Sequence, residues 1–124
     1  MKKVIATVDA PKAVGPYSQA IEVNGTLYIS GQIPVNPADG KILEEITAAA
    51  HQSLKNIGAI LKEAGMTYDN VVKTTVLLAD IADFKAVNEV YAEYFTGDKP
   101  ARACYQAAAL PLGVKVEIEA IAVK

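Results

Sequence analysis

Short runs of alternating apolar and polar residues, broken by two longer stretches of helical period, organise this chain. Val4 to Thr7 predicts a short first strand, and Asp9 to Pro16 a loop punctuated by Pro11, Gly15 and Pro16. Ser18 to Val23 and Leu27 to Ser30 flank Asn24-Gly25, a pair suited to a tight hairpin because both residues tolerate positive φ. Pro34 to Lys41 forms a second turn region closed by Asp39-Gly40. From Ile46 to Ala64, apolar residues recur at spacings of three and four (Ile46, Ala50, Leu54, Ile57, Leu61, Ala64), which predicts a helix with one apolar stripe. Glu44 and Glu45 stand at its positive end, and Gly65 supplies a stop. Val71 to Leu78 alternates as a strand. Asp80 is placed to cap a second helix whose inner stripe is Phe84, Val87, Tyr91 and Tyr94. Arg102 to Ala108 and Val114 to Val123 complete the set as strands.

This order predicts an α+β fold, one sheet with two helices packed on one face, as a single domain over residues 1–124. No helix remains for the other face. The last strand is apolar on both sides, with Val114, Val116, Ile118, Ala120 and Ala122 on one and Ile121 and Val123 on the other. Burial of both faces, and hence a homo-oligomer that packs sheet faces together, is the expectation.

Composition supports that expectation. Of 124 residues 52% are hydrophobic, and mean hydropathy is +0.20, rich for a soluble monomer of this size. A net charge of −2 gives neither a nucleic-acid footprint nor a polybasic patch for an anionic membrane. No apolar run approaches a membrane span, and no long apolar core follows Lys2-Lys3, so the expectation is a cytoplasmic protein. No Cys/His cluster has metal spacing, and no dinucleotide or phosphate-loop glycine pattern occurs, so neither a metal nor a cofactor is expected.

Candidate chemistry gathers near the last two strands. Residues two apart share a strand face, so Arg102 and Cys104 point one way, and Glu117 and Glu119 do the same on their own strand. A charge on strands this apolar needs a partner or a ligand. Arg102 offers a planar fork for a small carboxylate, or a structural ion pair with Glu117 or Glu119; spacing does not choose. One of these glutamates could orient a water, or the pair could mark a solvated face. Cys104 is a potential nucleophile but more simply a small apolar wall, since His51, the only histidine, has no evident route to it. Ser30-Gly31 ends a strand with a hydroxyl and accessible backbone, and Tyr17 could cover a pocket.

Six segments in order resemble the RidA/YjgF-type family of enamine/imine deaminases. They are Ala13-Val14-Gly15-Pro16-Tyr17-Ser18-Gln19, Ser30-Gly31-Gln32-Ile33-Pro34, Val72-Lys73-Thr74-Thr75-Val76, Phe84-Lys85-Ala86-Val87-Asn88 with Tyr91, Pro100-Ala101-Arg102-Ala103-Cys104, and Val116-Glu117-Ile118-Glu119-Ala120. The resemblance implies a chorismate-mutase-like fold and a homotrimer whose sheets form a central barrel, with sites between subunits. It implies cofactor-independent hydrolysis of 2-imino acids, such as 2-iminobutanoate and 2-iminopropanoate, to 2-oxo acids and ammonia. Arg102 then holds the substrate carboxylate and Glu117 orients the water. Gly31 and Cys104 contact the ligand largely through backbone, Tyr17 and Ser30 line the pocket, and Asn88 lies close to it. Two other readings use the same residues: a trimeric small-molecule binding or regulatory protein without turnover, and an RNA-cleaving protein, which the acidic balance and the missing histidine pair disfavour. The stretch Tyr105 to Ala109 departs from the family's usual Val-Glu-Val-Ala-Arg, and Ala103 replaces a frequent serine.

Overall fold

A computed structural model describes residues 1–124. Six strands form one mixed sheet in the order β1-β2-β3-β6-β4-β5: β1 (Lys3–Ile5), β2 (Ala20–Val23), β3 (Thr26–Gln32), β4 (Val71–Leu78), β5 (Ala101–Gln106) and β6 (Val116–Val123). Pairing is antiparallel except between β4 and β5, which run parallel. A parallel pair needs a crossover, and α2 (Phe84–Tyr94) supplies it. The longer helix α1 (Ile46–Glu63) lies against α2, β3 and β6. No helix is long and apolar enough to cross a membrane.

Local chemistry explains the boundaries. Asn24 (φ 51°) and Gly25 (φ 79°) both take left-handed backbone, so the β2–β3 hairpin closes in the two residues expected of it. Glu45 itself caps α1, its carboxylate accepting from the amides of Thr47 at 2.7 Å and Ala48 at 3.2 Å. Gly65, at φ 74°, follows the helix end.

Two expectations need adjusting. Asp80 caps a single 3-10 turn, Ile81–Asp83, rather than α2, which begins after it at Phe84. The buried stripe of α2 is Val87, Val90 and Tyr91, while Phe84 stays 37% exposed at the helix start. Phe84 shares the face of Tyr91 but lies in the first turn of the helix, beyond the core, where its ring is open to other contacts.

The core lies between helices and sheet. Leu54, Ile57, Ile60 and Leu61 of α1 meet Leu27, Val76, Leu78, Val116 and Ile118 of the sheet, all at or below 1% exposure. Asn56, also buried, ties α1 to the turn region by donating to the carbonyls of Ile33 and Val35. Both helices use one sheet face, as expected. The other face is open, with Tyr28 49% and Tyr105 53% exposed.

Candidate active site

The pairing register sorts the predicted site residues into two groups. Thr74 opposes Arg102 and Val76 opposes Cys104 across β4–β5, so both face the helices. Leu77 opposes Glu117 and Thr75 opposes Glu119 across β4–β6, so both glutamates face the open side. Within one chain Arg102 and the glutamates are on opposite faces of the sheet, which removes the intrachain ion pair as an explanation of Arg102.

The first group is built around Arg102, on β5 at the sheet edge. Its Nη1 donates to Asn88 Oδ1 at 2.7 Å. The guanidinium carbon lies 4.9 Å from the Tyr91 ring centroid and 5.5 Å from that of Phe84. Phe84, Asn88 and Tyr91 stand at i, i+4 and i+7 on α2, and so share one helix face. Tyr91 is fixed in turn by a 2.7 Å hydrogen bond between its hydroxyl and Thr74 Oγ1, and by Phe95 at 4.5 Å. Burial raises the Tyr91 phenol above its ordinary pKa, keeping it neutral. No carboxylate lies within 4.0 Å of Arg102; the ion pairs of the chain are His51–Glu93 and Lys124–Glu22. Cys104 is half-buried against the core. Burial pushes its thiol up, with Arg102 only partly opposing, so it is not an activated thiolate.

The second group lines a cleft of about 580 Å³ on the open side, among Val14, Tyr17, Ser30, Gly31, Glu117 and Glu119. The β3–β6 register slips between Ile29 and Gln32, so Ser30-Gly31 sits in a bulge that re-aims the strand end. A Cβ at Gly31 would come 2.5 Å from Glu117 Oε2, so any larger residue there displaces the Glu117 carboxylate. Ser30 Oγ donates to the Ser18 carbonyl at 2.6 Å, so the hydroxyl holds the Tyr17 segment. Tyr17 is 53% exposed at the rim. Burial, and secondarily the neighbouring Glu119 carboxylate, raise the Glu117 pKa, making it a better base than a free glutamate.

Asn88 proves to be a partner of Arg102, and Tyr91, Phe84 and Thr74 are supports that reading the helix stripe as core concealed. The i, i+4, i+7 spacing of Phe84, Asn88 and Tyr91 before an isolated arginine was the available signal. Gln106, at a departure from the family pattern, accepts from the amide of Ile81 at 2.9 Å and so anchors the 3-10 turn that precedes α2. His51 is hydrogen-bonded to Tyr94 at 2.8 Å, between the helices. No three His, Cys, Asp or Glu side chains converge to hold a metal ion.

The sequence and the fold both match known proteins. The family model described as Endoribonuclease L-PSP matches residues 7–124, and the chain belongs to this family, the RidA/YjgF family its motifs resemble. A mouse protein named 2-iminobutanoate/2-iminopropanoate deaminase is 58% identical over 125 residues, covering 100% of this chain and 93% of that one. The crystal structure of a Rid-family protein from Yersinia pestis superposes with a TM-score of 0.98 at 51% identity, covering 100% of both chains. Escherichia coli TdcF, solved with bound serine, gives 0.96 at 43% identity over 98% of both chains.

Proposed function

We propose that this chain is a cofactor-independent deaminase that hydrolyses 2-imino acids, among them 2-iminobutanoate and 2-iminopropanoate, to 2-oxo acids and ammonia. The observation that carries this reading is Arg102: a held guanidinium with no carboxylate of its own chain near it is free to pair with the carboxylate of a small acid. The name of the mouse relative supports the choice of acid.

The site is shared between copies. Arg102, Asn88 and Cys104 of one chain and Tyr17, Ser30, Gly31 and Glu117 of another enclose the substrate, in a chorismate-mutase-like homotrimer whose open sheet faces form a central barrel. The opposed facing of Arg102 and Glu117 and the uncovered face with its exposed tyrosines support that assembly.

The chemistry asks little beyond positioning. Protonation of the imine nitrogen makes its carbon electrophilic. Arg102 fixes the carboxylate, which fixes that carbon. Glu117 accepts a proton from a water as its oxygen bonds to the carbon, giving a tetrahedral amino alcohol. Return of a proton to nitrogen releases ammonia, and loss of the hydroxyl proton leaves the 2-oxo acid.

The test is the decay of an imine generated by an amino-acid oxidase, followed with parental protein and with Arg102→Ala. Acceleration by the parent and none by the variant is expected. Parental binding of the 2-oxo acid without acceleration of decay sinks the catalytic reading in favour of a binding protein.

A further inference from the structure

The supports of Arg102 share one property: none carries a charge. Asn88 is an amide, Phe84 a hydrocarbon ring, and Tyr91 a phenol kept neutral by burial and engaged with Thr74. A carboxylate in their place would offer the guanidinium a stronger, two-pronged bond. Asn88 has the same shape as aspartate and accepts from the same nitrogen, yet leaves the positive charge whole. Two rings against the guanidinium remove rotamer freedom that the side chain otherwise loses on binding. Thr74 is fully buried and Tyr91 6% exposed, so the rigid end of this support is anchored in the core.

We propose that Asn88, Phe84 and Tyr91 form a charge-neutral positioning cradle that holds Arg102 ready while keeping it electrostatically unsatisfied, and that the neutrality of residue 88 sets the affinity of the site for carboxylate substrates. The proposal rests on the reading of Arg102 as the carboxylate anchor. It makes a prediction that a purely geometric support does not. If Asn88 merely steadies Arg102, Asn88→Asp preserves or improves the hydrogen bond and is the milder change than Asn88→Ala. If neutrality matters, Asn88→Asp is the more damaging, because its carboxylate neutralises the guanidinium from within the chain.

The experiment is calorimetric titration of the purified assembly with 2-oxobutanoate, a stable product, together with KM and kcat for imine hydrolysis. Asn88→Asp is expected to weaken binding about tenfold or more, as a like charge beside the ligand carboxylate demands, and to raise KM with melting temperature unchanged. Asn88→Ala loses less. Phe84→Leu, at a partly exposed position, is expected to weaken binding about two- to fivefold, and Phe84→Tyr to restore it. Asn88→Asp binding as well as Asn88→Ala overturns the neutrality of the cradle, and parental binding by Phe84→Leu overturns the stacking. Arg102→Ala separates the two levels. If it binds 2-oxobutanoate as the parent does, the anchor itself is wrong; if it does not bind while Asn88→Asp does, only the cradle is.

Discussion

The two faces of the sheet are built to different rules. On the helix-covered face, Val76, Leu78, Val116 and Ile118 are fully buried in an apolar layer under α1 and α2. On the open face the same strands present Thr75, Leu77, Glu117 and Glu119, flanked by Tyr28 and Tyr105, partly exposed and mixed in polarity. Neighbouring residues on one strand therefore meet different surroundings: Ile118 the core, Glu117 the open cleft. Arg102 stands at the margin, on the covered side but on β5, where helix cover gives out. The contrast teaches that burial by one chain ends where the proposed site begins, and it can be broken residue by residue.

The largest effect is expected from Arg102→Ala. Imine hydrolysis should fall on the order of 10²-fold or more with the fold and assembly intact, as when a charged group complementary to the reacting species is lost. Size-exclusion chromatography and kcat/KM measure both; normal activity refutes the division of labour between faces. Ile118→Ala, one residue from Glu117 but on the covered side, should cost about 2–5 kcal/mol of stability by leaving a cavity. A denaturant titration checks it, and a near-zero change would show that this face is not the core.

Glu117→Gln should do the reverse, removing most activity while slightly raising the melting temperature at neutral pH. The sign follows from its raised pKa. Folding costs free energy wherever the carboxylate is charged in both states, and this cost fades as pH falls through the raised value towards the ordinary one. The same shift places the acid limb of kcat/KM above the ordinary carboxylate range, since the base must be ionised to receive a proton. An acid limb at the ordinary range contradicts it. Gly31→Ala should lower kcat by displacing the Glu117 carboxylate, with a smaller change in stability. The mildest substitution should be Cys104→Ala, retaining most activity, because the thiol is raised rather than activated. Complete loss in a folded Cys104→Ala protein would reopen covalent catalysis.

Much of this contrast was legible in the residues. Asn24-Gly25 specified a hairpin by backbone tolerance alone, and the α1 stripe followed from helical period. The β6 alternation separated Ile118 from Glu117 correctly. What was not legible depends on long-range pairing. Strand period says that Arg102 and Cys104 agree with each other, but only the shared partner β4 reveals that they oppose Glu117. The bulge at Ser30-Gly31 exists through its register with β6, and the exposure of Phe84 at the start of α2 follows from how that helix meets its neighbours. Local propensity carries no information about either.

The strand order has a consequence for how the molecule comes into being. β6 follows every other strand in the chain yet lies between β3 and β4, joining the hairpin half to the crossover half. On the ribosome, five strands and both helices emerge before their common partner, and the inner edges of β3 and β4 wait with unpaired backbone groups. At about 5–20 residues per second this interval lasts seconds, the period in which such edges are most exposed to wrong partners. Closure then depends on one late arrival. A ribosome stalled before β6 should hold a chain that a protease cuts readily, and release of that strand should make the whole sheet resistant in a single step.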